Sequence, residues 1–231
     1  MLLFESLRKN YEGTDAVNID RMEIPPGQKF GLVGNNGAGK TTLFRLILDL
    51  IKPTEGAVYS KRVDVRRTEE WKLYTGSYLD EGFLIDFLTA EEYFYFIGSL
   101  HGFSKHEVDE RLVRYHPLFN NAILGQKKYI RDLSKGNQKK VGITAALLFE
   151  PEILILDEPF ANLDPTTIFR LKNLLNEINE QQNVTMLISS HDLMHVTDVC
   201  KRIVVLEAGK VIQDKFTDQG TLKELETYFS A

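Results

Sequence analysis

The segment Gly34–Thr41 (GNNGAGKT) contains the residue types that bind nucleotide phosphates. It fits the pattern G-x-x-x-x-G-K-[ST], whose glycines let several backbone N–H groups point at phosphate oxygens. An apolar strand is predicted just before it, over Lys29–Val33. A helix is predicted after it, over Thr41–Leu50, where apolar residues recur at helical spacing. Because the positive end of that helix attracts anions, the segment predicts a nucleotide site.

Within this segment, Lys40 is predicted to reach the β- and γ-phosphates, and the Thr41 hydroxyl is predicted to ligate Mg²⁺. A glycine turn that occurs by chance is the alternative, and the predicted strand and helix on either side argue against it. The predicted nucleotide-binding residues of the loop are Gly34, Asn35, Asn36, Gly37, Ala38, Gly39, Lys40, Thr41 and Thr42.

Two carboxylates follow a predicted buried strand, Ile153–Leu156. At the carboxyl edge of a parallel sheet, Asp157 would hold Mg²⁺, and Glu158 would orient and deprotonate an attacking water. An acidic turn after a core strand is the alternative, which the phosphate loop in the same chain disfavours.

A second predicted strand, Thr185–Ser189, leads to His191. A histidine at the end of a core strand, in a chain with a phosphate loop, is well placed to contact a γ-phosphate. A structural role is the alternative for a lone histidine. The other histidines have no such context, and Cys200, the single cysteine, is predicted to be a small buried apolar residue.

The elements that must position these residues alternate between strands and helices. Residues 1–64 are predicted to form strands joined by turns, then a loop and a helix. The strand Ile203–Leu206 and the helix Pro165–Asn179 continue the alternation in the second half of the chain. This order predicts an α/β fold with a parallel sheet covered on both faces.

Residues 81–131 differ in character from the rest of the chain, because no clear strand is predicted there. Ala90–Leu100 and Lys105–Tyr115 are predicted helices, with Thr89 and Ser104 as their N-caps. The region is therefore predicted to be a helical insertion.

The composition is that of an ordinary globular protein, with 231 residues, 43% of them apolar and 26% charged. The formal net charge of −5 makes nucleic acid an unexpected partner. No stretch approaches the roughly 20 apolar residues of a membrane span, and no signal peptide is predicted. With one cysteine, the chain is expected in a reducing, cytoplasmic compartment.

Together these residues resemble the ATP-binding subunits of ABC transporters over nearly the whole chain. Five motifs occur in that family's order: the phosphate loop Gly34–Thr41, the signature segment Leu133–Asn137, the acidic strand Ile153–Glu158, the D-loop Ala161–Asp164 and the switch histidine His191. The resemblance implies an ATPase that binds ATP and Mg²⁺. It also implies a P-loop core, an antiparallel β portion near the N-terminus and an inserted helical subdomain.

The resemblance further implies a dimer of ATP-binding subunits, with two identical chains as the expected form. Each ATP would lie between the phosphate loop of one chain and Ser134, Gly136 and Asn137 of the other. Tyr11, which lies 29 residues before the lysine of the phosphate loop, would stack on adenine. Asp164 would couple the two ATP sites.

Three positions depart from the family pattern. Lys135 replaces the first glycine of the signature and Asn137 its glutamine, but Gly136 is retained, so we expect function to survive. Glu81 aligns with the glutamine of the Q-loop. We predict that Glu81 contacts Mg²⁺ and senses a membrane partner. The alternative is a solvated loop residue, with water at the metal instead.

The chain is predicted to be a single ATP-binding domain over residues 1–231. Residues 1–80 and 141–231 would form the α/β core, and residues 81–140 the helical subdomain that carries the signature. Leu88–Gly102 resembles the helical region of single-domain subunits that serve exporters. The resemblance therefore implies a polytopic membrane permease as partner, transport in the export direction, and a position on the cytoplasmic face of the membrane.

The aromatic run Tyr93–Phe96 wraps more than one face of its predicted helix. We predict that it lies mainly in the core. Any exposed part would suit a groove that receives a helix of the membrane partner.

Three other functions stay open at this point. A soluble member of the same superfamily acting on ribosomes or DNA would usually carry two phosphate loops or a long insertion. A small-molecule kinase would not need the signature segment. A non-hydrolysing regulatory subunit would not need to retain Lys40, Asp157, Glu158 and His191.

Overall fold

A computed structural model describes residues 1–230, which form two β-sheets and eight α-helices. The strands are β1 (Leu2–Tyr11), β2 (Thr14–Ile24), β3 (Lys29–Val33), β4 (Glu55–Ser60), β5 (Val63–Asp64), β6 (Thr75–Tyr78), β7 (Ile153–Leu156), β8 (Thr185–Ser190), β9 (Arg202–Glu207) and β10 (Lys210–Phe216). The helices are α1 (Lys40–Ile47), α2 (Ala90–Leu100), α3 (Lys105–Leu112), α4 (His116–Phe119), α5 (Lys135–Leu147), α6 (Pro165–Gln182), α7 (Leu193–Val199) and α8 (Thr221–Ser230).

The first sheet is antiparallel, with the strand order β2-β1-β4-β5. β1 pairs with β2 along nearly its whole length. Leu2, Phe4 and Leu7 of β1 are buried, as are Val17 and Ile19 of β2. An antiparallel sheet of this kind can bury one face and leave the other in water. The antiparallel portion that the resemblance implied is therefore confirmed.

The second sheet has six strands in the order β10-β9-β3-β8-β7-β6, and all its neighbours are parallel except β10 and β9. β3 and β7 have the bounds that the sequence predicts, whereas β8 and β9 are slightly longer than predicted. The predicted α/β class with a parallel sheet is confirmed. Parallel neighbours end at the same edge, so the loops after β3, β7 and β8 lie side by side.

The sheet has an apolar core on each of its faces, which explains why β3, β7 and β8 are buried throughout. Along β7, Leu154 and Leu156 belong to one cluster, and Ile153 and Ile155 belong to the other. This split follows from the two-residue period of a strand. Burying each such side chain contributes about 1.5–3 kcal/mol.

Two strands of this sheet, β6 and β10, were not predicted from the sequence. β6 has the sequence TGSY, which lacks the apolar run typical of a buried strand. It becomes a strand because it pairs with β7, with Thr75 opposite Ile153. Pairing of this kind depends on residues far apart in the chain, so local pattern does not reveal it.

Helices α2 and α3 each begin with the capping box that their sequences predict. The Thr89 side chain accepts a hydrogen bond from the Glu92 N–H, and the Glu92 carboxylate accepts one from the Thr89 N–H, with 2.8 Å between N and Oε2. Ser104 and Glu107 make the same pair of contacts. Both N-caps are confirmed, and each box satisfies backbone donors that the first turn leaves free.

Helix α5 crosses the boundary that we predicted at residue 140. It begins after Ser134 and runs to Leu147, where it packs on β6. A β-carbon at Gly142 would lie 2.3 Å from Cδ2 of Tyr78, so only glycine lets the helix approach this ring. Phe94 of the helical region and Leu154 of β7 belong to one apolar cluster, so the two parts pack together. The division into core and helical subdomain stays a prediction.

Candidate functional site

The glycine-rich loop joins the end of β3 to the start of α1. Gly39 is the N-cap of α1 and has a φ of 109°, in the left-handed region. A β-carbon there would lie 2.2 Å from the carbonyl oxygen of Ala16, so a larger residue would strain both the backbone and the contact with β2. Gly37 also has a positive φ, 84°. The positive φ of these glycines lets the loop curl at the start of the helix, as the motif requires.

Lys40 is buried and folds back over this loop. Its Nζ donates to the carbonyl oxygen of Gly34 at 2.7 Å and to that of Asn35 at 3.3 Å. It also lies 3.7 Å from Oε1 of Glu158. One ammonium group therefore connects the loop to the carboxylate that follows β7.

A cavity of about 210 Å³ opens beside the loop. It brings together two motifs that are more than a hundred residues apart in the chain, the phosphate loop and the acidic strand end. Its lining residues are Ala16, Asn36, Gly37, Ala38, Gly39, Lys40, Thr41, Thr42, Asp157 and Glu158. Ala16 has no functional signal in the sequence, because its contribution is its position on β2 against the loop.

Asp157 is buried and accepts two side-chain hydrogen bonds. Thr41 Oγ1 donates to its Oδ2 at 2.5 Å, and Ser189 Oγ donates to its Oδ1. Burial raises the pKa of Asp157, and the bonds from Ser189 and Thr41 oppose that rise. Ser189 lies within a predicted strand, and the sequence analysis did not identify it as a site residue.

The donor set at this point fits Mg²⁺. The Thr41 hydroxyl and the Asp157 carboxylate converge, and both offer the oxygen ligands that this ion prefers. Over residues 1–230, no group of three or more His, Cys, Asp and Glu side chains could hold a metal ion. A site with two protein oxygens is typical of an ion that completes its coordination with phosphate and water.

Both the backbone and the side chain of Glu158 are held by hydrogen bonds. Its backbone lies in the left-handed region, with a φ of 48°. Its N–H donates to Ser189 Oγ at 3.0 Å, and its carbonyl oxygen accepts from Lys139 Nζ at 2.7 Å. Its carboxylate lies 2.9 Å from His191 Nδ1 and also accepts from the His191 backbone N–H. The structure thus places Lys40, Glu158 and His191, which the sequence analysis named separately, in one group.

The signature residues lie elsewhere. Ser134 is the N-cap of α5, where its Oγ accepts from the Asn137 N–H at 3.3 Å. A β-carbon at Gly136 would lie 3.0 Å from the carbonyl oxygen of Asn162, so the signature contacts the D-loop of its own chain. Neither Ser134, Gly136 nor Asn137 lines the cavity beside the phosphate loop.

Asp164 has a structural contact that its predicted coupling role did not require. Its carboxylate caps α6, accepting from the Thr167 N–H at 3.0 Å and from Thr167 Oγ1 at 2.6 Å. These bonds lower the pKa of Asp164. The carboxylate is thereby fixed at the start of the helix that follows the D-loop.

Glu81 lies in a short 3₁₀ turn after β6. Its Oε1 accepts from the hydroxyl of Tyr78 at 3.0 Å, and its Oε2 lies 4.0 Å from Nζ of Lys135. No hydrogen bond within residues 1–230 joins it to Thr41 or Asp157. The contact of Glu81 with Mg²⁺ stays a prediction.

Tyr11 ends β1 with about half of its side chain exposed. Its ring lies under Lys9, with 4.8 Å between Nζ and the ring centroid. It does not line the cavity beside the phosphate loop, where Ala16 is the residue from the same hairpin. Stacking of Tyr11 on adenine stays a prediction.

A glycine-rich loop between a strand and a helix, with a hydroxyl–carboxylate pair at the same sheet edge, defines a P-loop nucleotide-binding protein. The sequence profile described as "ABC transporter" matches residues 17–161. The chain therefore belongs to the ABC transporter family, as an ATP-binding subunit and an ABC ATPase.

Curated relatives support this assignment. The chain is 36% identical to the uncharacterized ABC transporter ATP-binding protein YhaQ of Bacillus subtilis, over 99% of this chain and 74% of that protein. It is 31% identical to the methionine import ATP-binding protein MetN of Carboxydothermus hydrogenoformans, over 93% and 66% of the two chains. It is 33% identical to the bacitracin transport ATP-binding protein BcrA of Enterococcus faecalis, over 91% and 67%. The chain thus spans two thirds to three quarters of the length of these relatives.

Solved structures agree with the family. An ATP-binding subunit of an ABC transporter superposes with a TM-score of 0.85 at 28% identity, over the whole of both chains. The cassette MJ0796, in a dimeric post-hydrolysis state bound to ADP and Pi, superposes with a TM-score of 0.83 at 25% identity, over 94% of this chain and 98% of that one. In the described part of the chain, no helix has the length and hydrophobicity needed to cross a bilayer.

Proposed function

We propose that the chain hydrolyses ATP as one half of a head-to-tail dimer and drives transport through a separate membrane permease. The observation that carries the catalytic part is the position of Glu158. Its carboxylate lies between Lys40 Nζ and His191 Nδ1, at the cavity of the phosphate loop. A carboxylate held beside a phosphate site is well suited to accept a proton from an attacking water.

The residues of the loop bind and orient the nucleotide. Free backbone N–H groups of the loop would donate to the phosphates, and Lys40 would add a positive charge near the β- and γ-phosphates. Thr41 and Asp157 would hold Mg²⁺, which would supply charge neutralisation at the phosphates and alignment of the phosphoryl group. Ser189 keeps the Asp157 carboxylate oriented for this role.

Glu158 and His191 act at the γ-phosphate. Glu158 orients the attacking water and accepts its proton, and His191 holds the carboxylate through two contacts, one from its ring and one from its backbone. Because the bond between them joins the ends of β7 and β8, movement of either loop changes the position of the general base.

The position of the signature residues supports the proposed dimer. Ser134 and Gly136 start helix α5, where backbone N–H groups can donate to an anion, but they do not line the cavity of their own chain. A second chain, turned head to tail, brings its signature to this cavity. The MJ0796 cassette, which is dimeric in its state bound to ADP and Pi, supports a dimer. Two identical chains are the expected form.

The membrane partner would dock in a groove between the helical insertion and the core. This groove has a volume of about 410 Å³, and its lining includes Tyr78, Phe83, Tyr93, Ile97 and Phe149. Phe83 lines this groove and is 51% exposed, so part of its side chain is accessible to a partner. An apolar groove with exposed aromatic residues suits a short helix of a permease. The chain would then lie on the cytoplasmic face of the membrane.

The residues of the aromatic run Tyr93–Phe96 differ in their environment. Tyr93 and Phe94 are buried, and Phe96 is 41% exposed. Tyr93 lines the groove, whereas Phe94 stacks on Phe119 with 5.9 Å between ring centroids. The core role therefore holds for Phe94, and Tyr93 belongs to both the core and the groove.

The direction of transport is proposed from the resemblance of Leu88–Gly102 to exporter subunits. The relatives do not favour one direction, because one is named for methionine import and another for bacitracin transport. Export is the expected outcome for this chain, and the substrate is decided by the permease.

Capture from membranes tests the proposal. The tagged chain is incubated with detergent-solubilised membranes of its source, and a polytopic membrane protein is expected to co-purify stoichiometrically. Phe83→Asp should lose this protein and keep basal ATPase activity. Phe216→Asp, at an exposed phenylalanine of β10, is the matched control and should keep both. A ribosomal or DNA partner would contradict the transport proposal, and transfer of labelled γ-phosphate to a small acceptor would indicate a kinase.

A further inference from the structure

Lys139 is a buried lysine that the mechanism above does not use. It lies in the second turn of α5, with 5% of its surface exposed. Its Nζ donates to two carbonyl oxygens, that of Glu158 at 2.7 Å and that of Ala161 at 2.9 Å. Both acceptors belong to the loop that follows β7. The signature helix is therefore joined to the loop of the catalytic carboxylate by one ammonium group.

This loop has a backbone that needs support. Glu158 and Asn162 both have φ values in the left-handed region, 48° and 62°. Asparagine adopts this conformation readily, whereas glutamate adopts it at a cost in free energy. The bonds from Lys139 reach Glu158 itself and Ala161, the residue just before Asn162. They therefore support the main chain at Glu158, where the conformation is unfavourable.

We propose that Lys139 is a positioning residue that holds the main chain of Glu158, so that its carboxylate stays between Lys40 and His191. This inference rests on the proposed role of Glu158 as the general base. Lys139 touches neither substrate nor the reacting atoms, because its Nζ donates to two backbone carbonyls and lies 6.0 Å from the centroid of the Tyr78 ring. Its effect passes through the backbone of Glu158.

The same helix provides a route from the docking groove to Glu158. Tyr78 lines the groove, and its hydroxyl donates to Glu81, whose other carboxylate oxygen lies 4.0 Å from Nζ of Lys135. Lys135 and Lys139 are four residues apart and so lie on one face of α5. A shift of α5 caused by an occupied groove would move the ammonium that holds Glu158.

Substitution at Lys139 tests the inference on the purified full chain. Lys139→Met removes the donor but keeps most of the volume. We expect kcat for ATP hydrolysis to fall about tenfold or more, while KM and the Kd for a fluorescent ATP analogue change less than about twofold. Lys139→Arg, whose guanidinium can reach two acceptors, should recover kcat to within about threefold of the wild-type value. Lys139→Gln keeps a shorter donor, and its kcat should lie between those of the methionine and arginine variants. This variant preserves the test if the methionine variant does not fold.

The matched control is Lys29→Met. Lys29 is also a buried lysine, but it donates to Asn176 at the far end of β3 from the phosphate loop. Its substitution should leave kcat within about twofold. An unchanged kcat in Lys139→Met, or an arginine variant no more active than the methionine variant, would overturn the inference.

A double-mutant comparison separates this inference from the proposed function. In a Glu158→Gln background, Lys139→Met should lower the residual single-turnover rate by less than about twofold, because the two residues act in one unit. If the rate losses of Lys139→Met and Glu158→Gln multiply in the double variant, the role of Lys139 is overturned and that of Glu158 is not. Wild-type activity in Glu158→Gln itself would overturn the role of Glu158, and the inference with it.

Discussion

The carboxylate of Glu158 meets the imidazole of His191 across two neighbouring parallel strands, with 2.9 Å between Oε2 and Nδ1. Glu158 follows β7 and His191 follows β8, so the contact closes the carboxyl edge of the sheet beside the phosphate loop. Since Lys40 lies on the other side of the same carboxylate, three motifs act on one group.

Glu158→Gln should lower kcat for ATP hydrolysis by about a hundredfold or more, because an amide cannot accept the proton of the attacking water. The Kd for ATP should change little. Steady-state hydrolysis and equilibrium ATP binding measure the two quantities. Glu152→Gln is the matched control. Glu152 lies just before β7, at the opposite end of the strand from Glu158, and it pairs with Lys61 on the surface. Equal losses in both variants would contradict a role as base.

Gly39→Ala should lower the free energy of unfolding by about 2 kcal/mol or more. The added β-carbon would lie at a left-handed φ and 2.2 Å from the Ala16 carbonyl oxygen. ATP binding should be lost in parallel. Gly102→Ala is the control: its φ of 80° is also positive, but no atom lies within 4 Å of the added carbon. It should cost only about 1 kcal/mol. Urea unfolding measures the free energy of unfolding of both variants. An equal fall in the two variants would contradict a cost from the contact with Ala16.

Asp164→Ala should lower Tm by roughly 2–4 °C, because it removes the N-cap of α6. Asp164→Asn should keep Tm within about 1 °C, since an amide oxygen can accept the same bond from the Thr167 N–H. The asparagine variant thereby separates capping from the proposed coupling of the two ATP sites. A loss of cooperative hydrolysis in that variant would support coupling, and an equal fall of Tm in both variants would contradict the capping role.

His101→Phe should reduce the loss of stability between pH 7.5 and pH 5.5. His101 stacks on Phe149, with 3.8 Å between ring centroids, and burial lowers its pKa. The unfolded chain then binds a proton at His101 more readily than the folded chain does. Stability from this group is therefore present above its unfolded pKa and is lost as the pH falls through that value. Phenylalanine keeps the stacking and does not titrate.

Urea unfolding at the two pH values checks this prediction. His106→Phe is the control, because His106 lies on α3 with 82% of its side chain exposed. An equal pH dependence in wild type and in His101→Phe would refute the role of His101.

Much of the site was predictable because its motifs are local. The phosphate loop depends on glycines, one lysine and a following helix, all within a short stretch of chain. The strands β3 and β7 are continuous apolar runs, so their bounds agree with the prediction. The caps Thr89 and Ser104 are equally local, because each pairs with a glutamate three residues later.

Other features could not be predicted because they depend on contacts between distant residues. Ser189 becomes a site residue only because β8 lies next to β7, where its hydroxyl reaches both Asp157 and the Glu158 N–H. The strand β6 exists only through its pairing with β7 and its packing against α5. Nothing in the sequence TGSY indicates either partner.

The sequence by itself determined the class of chemistry, because binding a phosphate chain requires particular residue types at fixed local spacing. Tertiary structure alone decided which groups hold the carboxylate of Glu158. Lys139 reaches the Glu158 carbonyl because Gly142 lets α5 pack closely on Tyr78, which brings the signature helix against the loop after β7. That contact depends on van der Waals distances between segments separated by tens of residues, which no local pattern encodes.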